Sequence, residues 1–168
     1  MKSKRIATLA TCTALALVLS YLESLLPAPG LPGVKLGLAN LAVLFALYRL
    51  GAREAAAVSL LRVLLVSLLF GHVLSFWYSL SGAALSLAGM ASVKRSGRFG
   101  VIAVSVTGGV LHNAGQLLAA RLLLGETVLA YLPWLIVSGT VTGAAIGLAG
   151  GTLLRRVEKT ENESSTSG

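Results

Sequence analysis

Seven side chains in this sequence are of types that hold an anion: Lys35, Asn40, Arg62, His112, Asn113, Gln116 and Arg121. Arginine presents a planar fork of N–H donors that matches a carboxylate or a phosphate, and lysine adds a point charge. His112 and Gln116 are four residues apart, and Asn113 and Gln116 three apart. On a helix that spacing puts them on one side. Cations of this kind would neutralise a small acidic molecule, and the amides and imidazole would orient it. Glu23 is the acid that stands nearest to them in this grouping, and the cations outnumber it.

Other chemistries lack their residues. All six acids are glutamate, so an aspartate-rich, magnesium-binding prenyltransferase site is impossible in this chain. No glycine-rich phosphate loop is present, so the chain is not an ATPase. Two histidines and one cysteine argue against a metal site. No nucleophile and base stand with an orienting acid, so no catalytic residue and no cofactor is expected. Cys12 alone excludes a disulfide scaffold.

The elements that must position the seven residues follow from composition. Of 168 residues, 55% are apolar and 12% charged. A soluble domain carries about 25% charged residues, so this chain cannot cover a water-facing surface. Its mean hydropathy is +0.84. It reads as an integral membrane protein, all-α, with six spans and no room for a soluble domain, since each span needs about 20 apolar residues. The spans are expected at about 6–26, 36–50, 53–70, 73–93, 99–124 and 128–154, with a polar, disordered tail over 157–168. Three of the four prolines fall between residues 27 and 32, which excludes helix there. A basic start before an apolar stretch also fits a signal peptide, but no cleavage site precedes Tyr21–Glu23.

Charge fixes the expected topology. The net charge is +8, which in a soluble protein would suggest nucleic acid. Here 11 of the 14 Lys and Arg residues fall at the N-terminus, in the loops after spans two and four, and at the C-terminus. That asymmetry predicts both termini in the cytoplasm and a plasma-membrane, multi-pass chain in the lipid bilayer, with no nucleic-acid partner. On this topology Glu23, Lys35, Asn40, Arg62, His72, His112, Asn113, Gln116 and Arg121 converge on the outer half. The irregular segment Pro27–Val34 lies over the same side, where such backbone is tolerated if it lines or lids a cavity.

Plainer roles stand beside these. Arg62 could be paired with Glu23, His112 could only hydrogen-bond between helices, and Lys35 and Arg121 could snorkel to headgroups. Trp77, Tyr78 and Trp134 fit an interfacial aromatic belt or stacking on a flat ligand. Gly139, Gly143, Gly147 and Gly151 recur every four residues, as do Ala10 and Ala14. Each small-residue face fits either packing within the bundle or docking of another membrane subunit.

Four stretches carry a family resemblance: Pro32-Gly33-Val34-Lys35-Leu36-Gly37-Leu38-Ala39-Asn40, Ser59-Leu60-Leu61-Arg62-Val63-Leu64-Leu65, Leu69-Phe70-Gly71, and Gly108-Gly109-Val110-Leu111-His112-Asn113-Ala114-Gly115-Gln116. Together they resemble the bacterial Gx transporter family, also labelled heptaprenyl diphosphate synthase component I, over most of residues 5–155. The resemblance implies a six-helix protein similar to the S components of energy-coupling factor (ECF) transporters. Such proteins bind a substrate from outside and work with a coupling membrane subunit and ATPases on other chains. It further implies that Ala10 and Ala14 form the coupling surface and that Pro27–Val34 gates the site.

The resulting expectation is a substrate-binding subunit of an importer for a small anionic molecule. A flavin, a vitamin-like acid, a prenyl phosphate or a quinone precursor would each fit a cationic pocket with aromatic neighbours. One alternative is a membrane accessory subunit of a heptaprenyl or polyprenyl diphosphate synthase. A stand-alone secondary transporter would favour an internal repeat and acids buried mid-membrane, and neither is evident.

Overall fold

The computed structural model describes residues 2–25, 37–70 and 73–166. Among them are six α-helices: α1 (Lys2–Leu25), α2 (Asn40–Arg49), α3 (Ala52–Phe70), α4 (Val73–Arg95), α5 (Val101–Leu124) and α6 (Leu132–Thr166). A 3-10 helix, Glu126–Tyr131, joins α5 to α6. α1, α4, α5 and α6 are each long and apolar enough to cross a membrane. α3 is set apart by three charged residues, Arg53, Glu54 and Arg62, within 19 residues; α2 has only 10 residues. Large apolar side chains cover the outside, Leu122 at 87% exposure and Leu68 at 81% among them. Such a surface suits lipid and not water, and the chain is a multi-pass helical membrane protein.

Among the differences between the helix boundaries and the expected spans, three at α2 and α6 have a local cause. The second helix starts at Asn40 and not at 36, because Gly37 takes φ +86° and residues 38–39 form a turn. The amide of Asn40 donates to the Gly37 carbonyl at 2.8 Å to close that turn. The sixth helix starts at Leu132, with Pro133 in its first turn, where its missing N–H costs nothing. At its other end it continues through the polar stretch read as a disordered tail. An Arg49–Glu161 ion pair and a Lys159–Glu163 pair one turn apart hold that extension. Residues 167–168 lie outside the described residues.

One end of the bundle is pinned by basic side chains. Arg5 on α1 pairs with Glu54 on α3 at 2.6 Å. Lys94 at the end of α4 donates to the Leu47 carbonyl of α2 at 2.6 Å and sits 4.7 Å from the Tyr48 ring centre. This basic end gives a depth scale. Ten residues of α2 rise about 15 Å, half of a hydrocarbon core about 30 Å thick. The start of α2 therefore lies near mid-depth. Arg62, Ser86 and His112 each stand a similar number of residues from the basic ends of α3, α4 and α5. They share that layer with Asn40.

α5 is the central helix, packed most extensively on α4 and α6. Against α6 the packing is backbone on backbone. A Cβ at Gly109 would strike the Gly139 carbonyl, one at Gly143 would lie 2.7 Å from the Val106 Cα, and one at Gly147 would lie 2.7 Å from the Ile102 Cα. Gly139, Gly143 and Gly147 are thus used inside the bundle, which decides between their two readings. The main apolar core gathers Cys12 and Ala16 of α1 with Ala42, Leu44 and Leu47 of α2, Val58 of α3 and Met90 of α4.

Candidate functional site

The site begins with a glycine. A Cβ on Gly82 of α4 would lie 2.8 Å from the His112 carbonyl oxygen and 3.0 Å from His112 Nδ1. On α5, a Cβ on Gly115 would lie 2.6 Å from the Ser81 carbonyl. The two helices cross in contact there, and the His112 and Gln116 side chains wrap the crossing. Both are buried, at 1% and 0% exposure. Gly37 comes down onto the same place: a Cβ on it would lie 3.3 Å from His112 Cδ2 and 3.2 Å from Asn40 Nδ2. Asn40 donates to Ser86 Oγ at 3.3 Å, tying the start of α2 to α4.

From Gly37 the polar layer continues to α1 and α3. The Gly37 amide donates to Glu23 Oε1. Glu23 is the acid whose charge acts on Arg62. Arg62 is 3% exposed, and its Nε and Nη2 atoms are buried with no hydrogen-bond partner among the described residues. It borders a crevice with Ser20 of α1 and Ser79 of α4 that is too narrow to admit a water. Ser20 Oγ is likewise buried without a hydrogen-bond partner among the described residues. Buried guanidinium N–H groups without acceptors are costly, since most buried polar atoms are satisfied. An acidic group brought to Arg62 would receive two charged donors at mid-depth, where the low dielectric strengthens the attraction.

The structure thus brings four of the seven predicted residues, Asn40, Arg62, His112 and Gln116, into one buried layer. Asn113 faces the other way: its Nδ2 donates to the Leu135 carbonyl at 2.8 Å and to Ser138 Oγ at 3.1 Å, both on α6. It joins helices and does not line the layer. Arg121 also departs from its expected place. Its Nε and Nη2 atoms reach Glu126 Oε1 at 2.9 and 2.6 Å in an exposed ion pair at the end of α5. A carboxylate five residues on is simply the nearest partner in the turn. Lys35, His72 and the segment Pro27–Val34 lie outside the described residues. Tyr78 is not in an aromatic belt: it is 3% exposed and packs with Leu117 and Leu135, whereas Trp77 and Trp134 are exposed.

Ser20, Ser79, Gly82 and Ser86 were not singled out from the sequence, and all four border the layer. A signal existed on α4, where Ser79, Gly82 and Ser86 recur at helical spacing. Small residues at i, i+3 and i+7 share a face, and that face meets Arg62, His112 and Asn40 in turn.

A second surface lies on the outside of α1. Cys12, Ala16, Ser20 and Glu23 face the bundle; Ala7, Ala10, Thr11 and Ala14 are exposed on the opposite side. Ala10 and Ala14 take no part in internal packing.

No curated protein matches the chain. A solved structure described as the S component of a bacterial ECF transporter shares its fold, with a TM-score of 0.67 at 21% sequence identity, over 95% of this chain and 98% of that one. The family model for heptaprenyl diphosphate synthase component I matches residues 12–153. With the match running from the middle of α1 to the last turn before the basic end of α6, the chain belongs to the heptaprenyl diphosphate synthase component I family.

Proposed function

We propose that this chain is the substrate-binding subunit of an energy-coupled importer, built like an S component, and that it takes a small anionic molecule. It crosses the plasma membrane six times with both termini in the cytoplasm, which the cluster of basic residues at one end supports. The observation that carries the reading is Arg62, buried at mid-depth with two N–H groups lacking acceptors among the described residues. A charge at that depth marks a functional site by default. The acidic group of the substrate meets Arg62, and Asn40, His112 and Gln116 orient the remainder. Lys35 adds charge from the segment that precedes α2, and Pro27–Val34 closes over the ligand. The exposed Ala10–Ala14 face of α1 receives a coupling membrane subunit, whose ATPases sit on other chains. Those ATPases must supply the difference in affinity between outward and inward states.

The test is retention of ligand. The parent chain and an Arg62→Ala variant are purified from membranes in mild detergent, and the small molecules that come with each are identified by mass spectrometry. An anionic metabolite should accompany the parent and be lost from the variant. If the folded variant retains it equally, Arg62 is structural and the reading fails.

The family description favours a second reading, a membrane accessory subunit of a polyprenyl diphosphate synthase. With no aspartate, this chain would leave the magnesium-dependent chemistry to a soluble partner. Co-purification of such a synthase, with no ATPases, would establish this reading in place of the first.

A further inference from the structure

The glycine contacts between α5 and α6 stop before the basic end. At Gly143 and Gly147 an added Cβ would come within 2.7 Å of α5 backbone, but at Gly151 it would meet only Val101, at 3.9 Å. The two helices splay apart there. The gap, together with the end of α2, is a groove of about 510 Å³. Arg49 and Arg155 border it, with Glu158 beside them, and Ile102 and Leu148 line its apolar flank. Ile102 is 44% exposed and Leu148 58%, so this flank opens onto the lipid-facing surface of the bundle.

The charges in the groove are unequal. Arg49 is paired with Glu161. Arg155 is in no ion pair among the described residues. Gly100, which precedes α5, brings no side-chain acceptor to the first turn of that helix, so the positive end of a 24-residue helix adds to the field at the groove. Glu158 sets an upper limit on the charge that fits: one uncompensated arginine beside an acid suits a monoanion better than a dianion. The groove lies where a span of about 30 Å ends, at the headgroup level on the basic side.

We infer that this groove is a binding site for a membrane glycerophospholipid, with its phosphodiester at Arg155 and an acyl chain along Ile102 and Leu148. The match is of three kinds. A phosphodiester carries one negative charge. The position is that of the headgroup layer, where basic pockets between spanning helices take lipid phosphates. The apolar flank continues from the charged end toward the bilayer centre, as a headgroup and its chain require. Inorganic phosphate shares the charge chemistry but makes no use of the flank. The site is separate from the layer around Arg62 and does not depend on the import reading.

Native mass spectrometry of the full chain tests it, with phosphatidylglycerol and inorganic phosphate as probes. The parent should hold one phosphatidylglycerol through detergent exchange, and inorganic phosphate at a hundredfold excess should not displace it. Arg155→Ala should reduce retention at least tenfold. Gly151→Leu should do the same without altering a charge, because its side chain enters space that is open in the parent. Arg156→Ala, next in sequence but outside the groove, should change retention less than twofold. Thermal unfolding in detergent verifies that each variant is folded. Equal retention by Arg155→Ala and Gly151→Leu would overturn the assignment, as would displacement of the lipid by inorganic phosphate.

Discussion

The two sides of α5 share close glycine contacts but differ in what surrounds them. Toward α6 the contact is largely between backbones, which Gly109, Gly139, Gly143 and Gly147 bring together, with the Ser105 side chain at its edge. The one large polar residue there, Asn113, gives its amide hydrogens to α6. Toward α4 the backbones also touch, at Gly82 and Gly115, but His112 and Gln116 wrap that crossing, and a polar layer runs from them past Asn40 and Glu23 to Arg62, which keeps two buried donor atoms without acceptors among the described residues. Close backbone packing gains dispersion contacts all along a seam and leaves no room for alternatives. A polar layer with unsatisfied donors is costly at rest and gains when an acceptor arrives. The α5–α6 pair is thus a rigid wall, and the polar layer on its other side is the part that can respond to a ligand.

The largest effect that could break this division is in the wall. Gly139→Leu would drive a side chain into the Gly109 carbonyl, 2.8 Å from where its Cβ must sit. Overpacking against backbone costs about 3 kcal/mol, and thermal unfolding in detergent should show a strongly lowered midpoint. A midpoint like that of the parent would mean the seam is loose and the wall is not a wall.

The next largest effect is in the layer, and it falls on binding and not on folding. Arg62→Ala should weaken retention of the co-purifying anion about 100-fold, or about 2.7 kcal/mol, the scale of losing one partner of a buried charged contact. The double variant Glu23→Gln/Arg62→Met should lose binding equally and yet melt near the parent temperature, since replacing both members of a buried pair of opposite charges by neutral groups of similar volume is often neutral or stabilising. A joint loss of binding and of stability in the double variant would turn Arg62 into a packing residue.

Asn113 sharpens the boundary. Asn113→Ala removes two hydrogen bonds to α6 and should cost about 1–2 kcal/mol of stability, while ligand retention changes less than threefold. In the sequence Asn113 is indistinguishable from its neighbours His112 and Gln116. Period alone places all three on one side of α5, but that side is broad enough to touch two helices, and a one-residue step turns a side chain about 100°. Which neighbour each residue meets depends on where α4 and α6 cross, and that is set by Gly82, Gly115 and Gly139 acting at a distance in the chain.

The general plan was legible for a different reason. The all-helical membrane class, the breaks at Gly51 and Gly125, and the basic end follow from local rules: apolar run length, glycine with positive φ, and charge. The start of α2 was harder. Leu38 and Ala39 read as apolar helix, but they lie in a turn after Gly37, which is held against Glu23 and His112. The serines of α4 were hidden because a small polar residue in a spanning helix carries little information until a charged partner such as Arg62 is seen across from it.

Arg121 gives the smallest effect and the cleanest boundary. By residue type it belongs with Arg62, and by position it stands on the same helix as His112 and Gln116. The difference between the two arginines is burial. Arg121 is 46% exposed and already has a carboxylate at 2.6 Å, so it offers an incoming anion only a screened charge with its donors engaged. An exposed pair of this kind contributes a few tenths of a kcal/mol at most. Arg121→Ala should therefore leave both the unfolding midpoint and ligand retention within measurement error, and raising the salt concentration should not change that. Should Arg121→Ala release the anion as Arg62→Ala does, the ligand would have to extend from the mid-depth layer to the far end of α5. The site would then be a channel along the helix and not a compact site around Arg62.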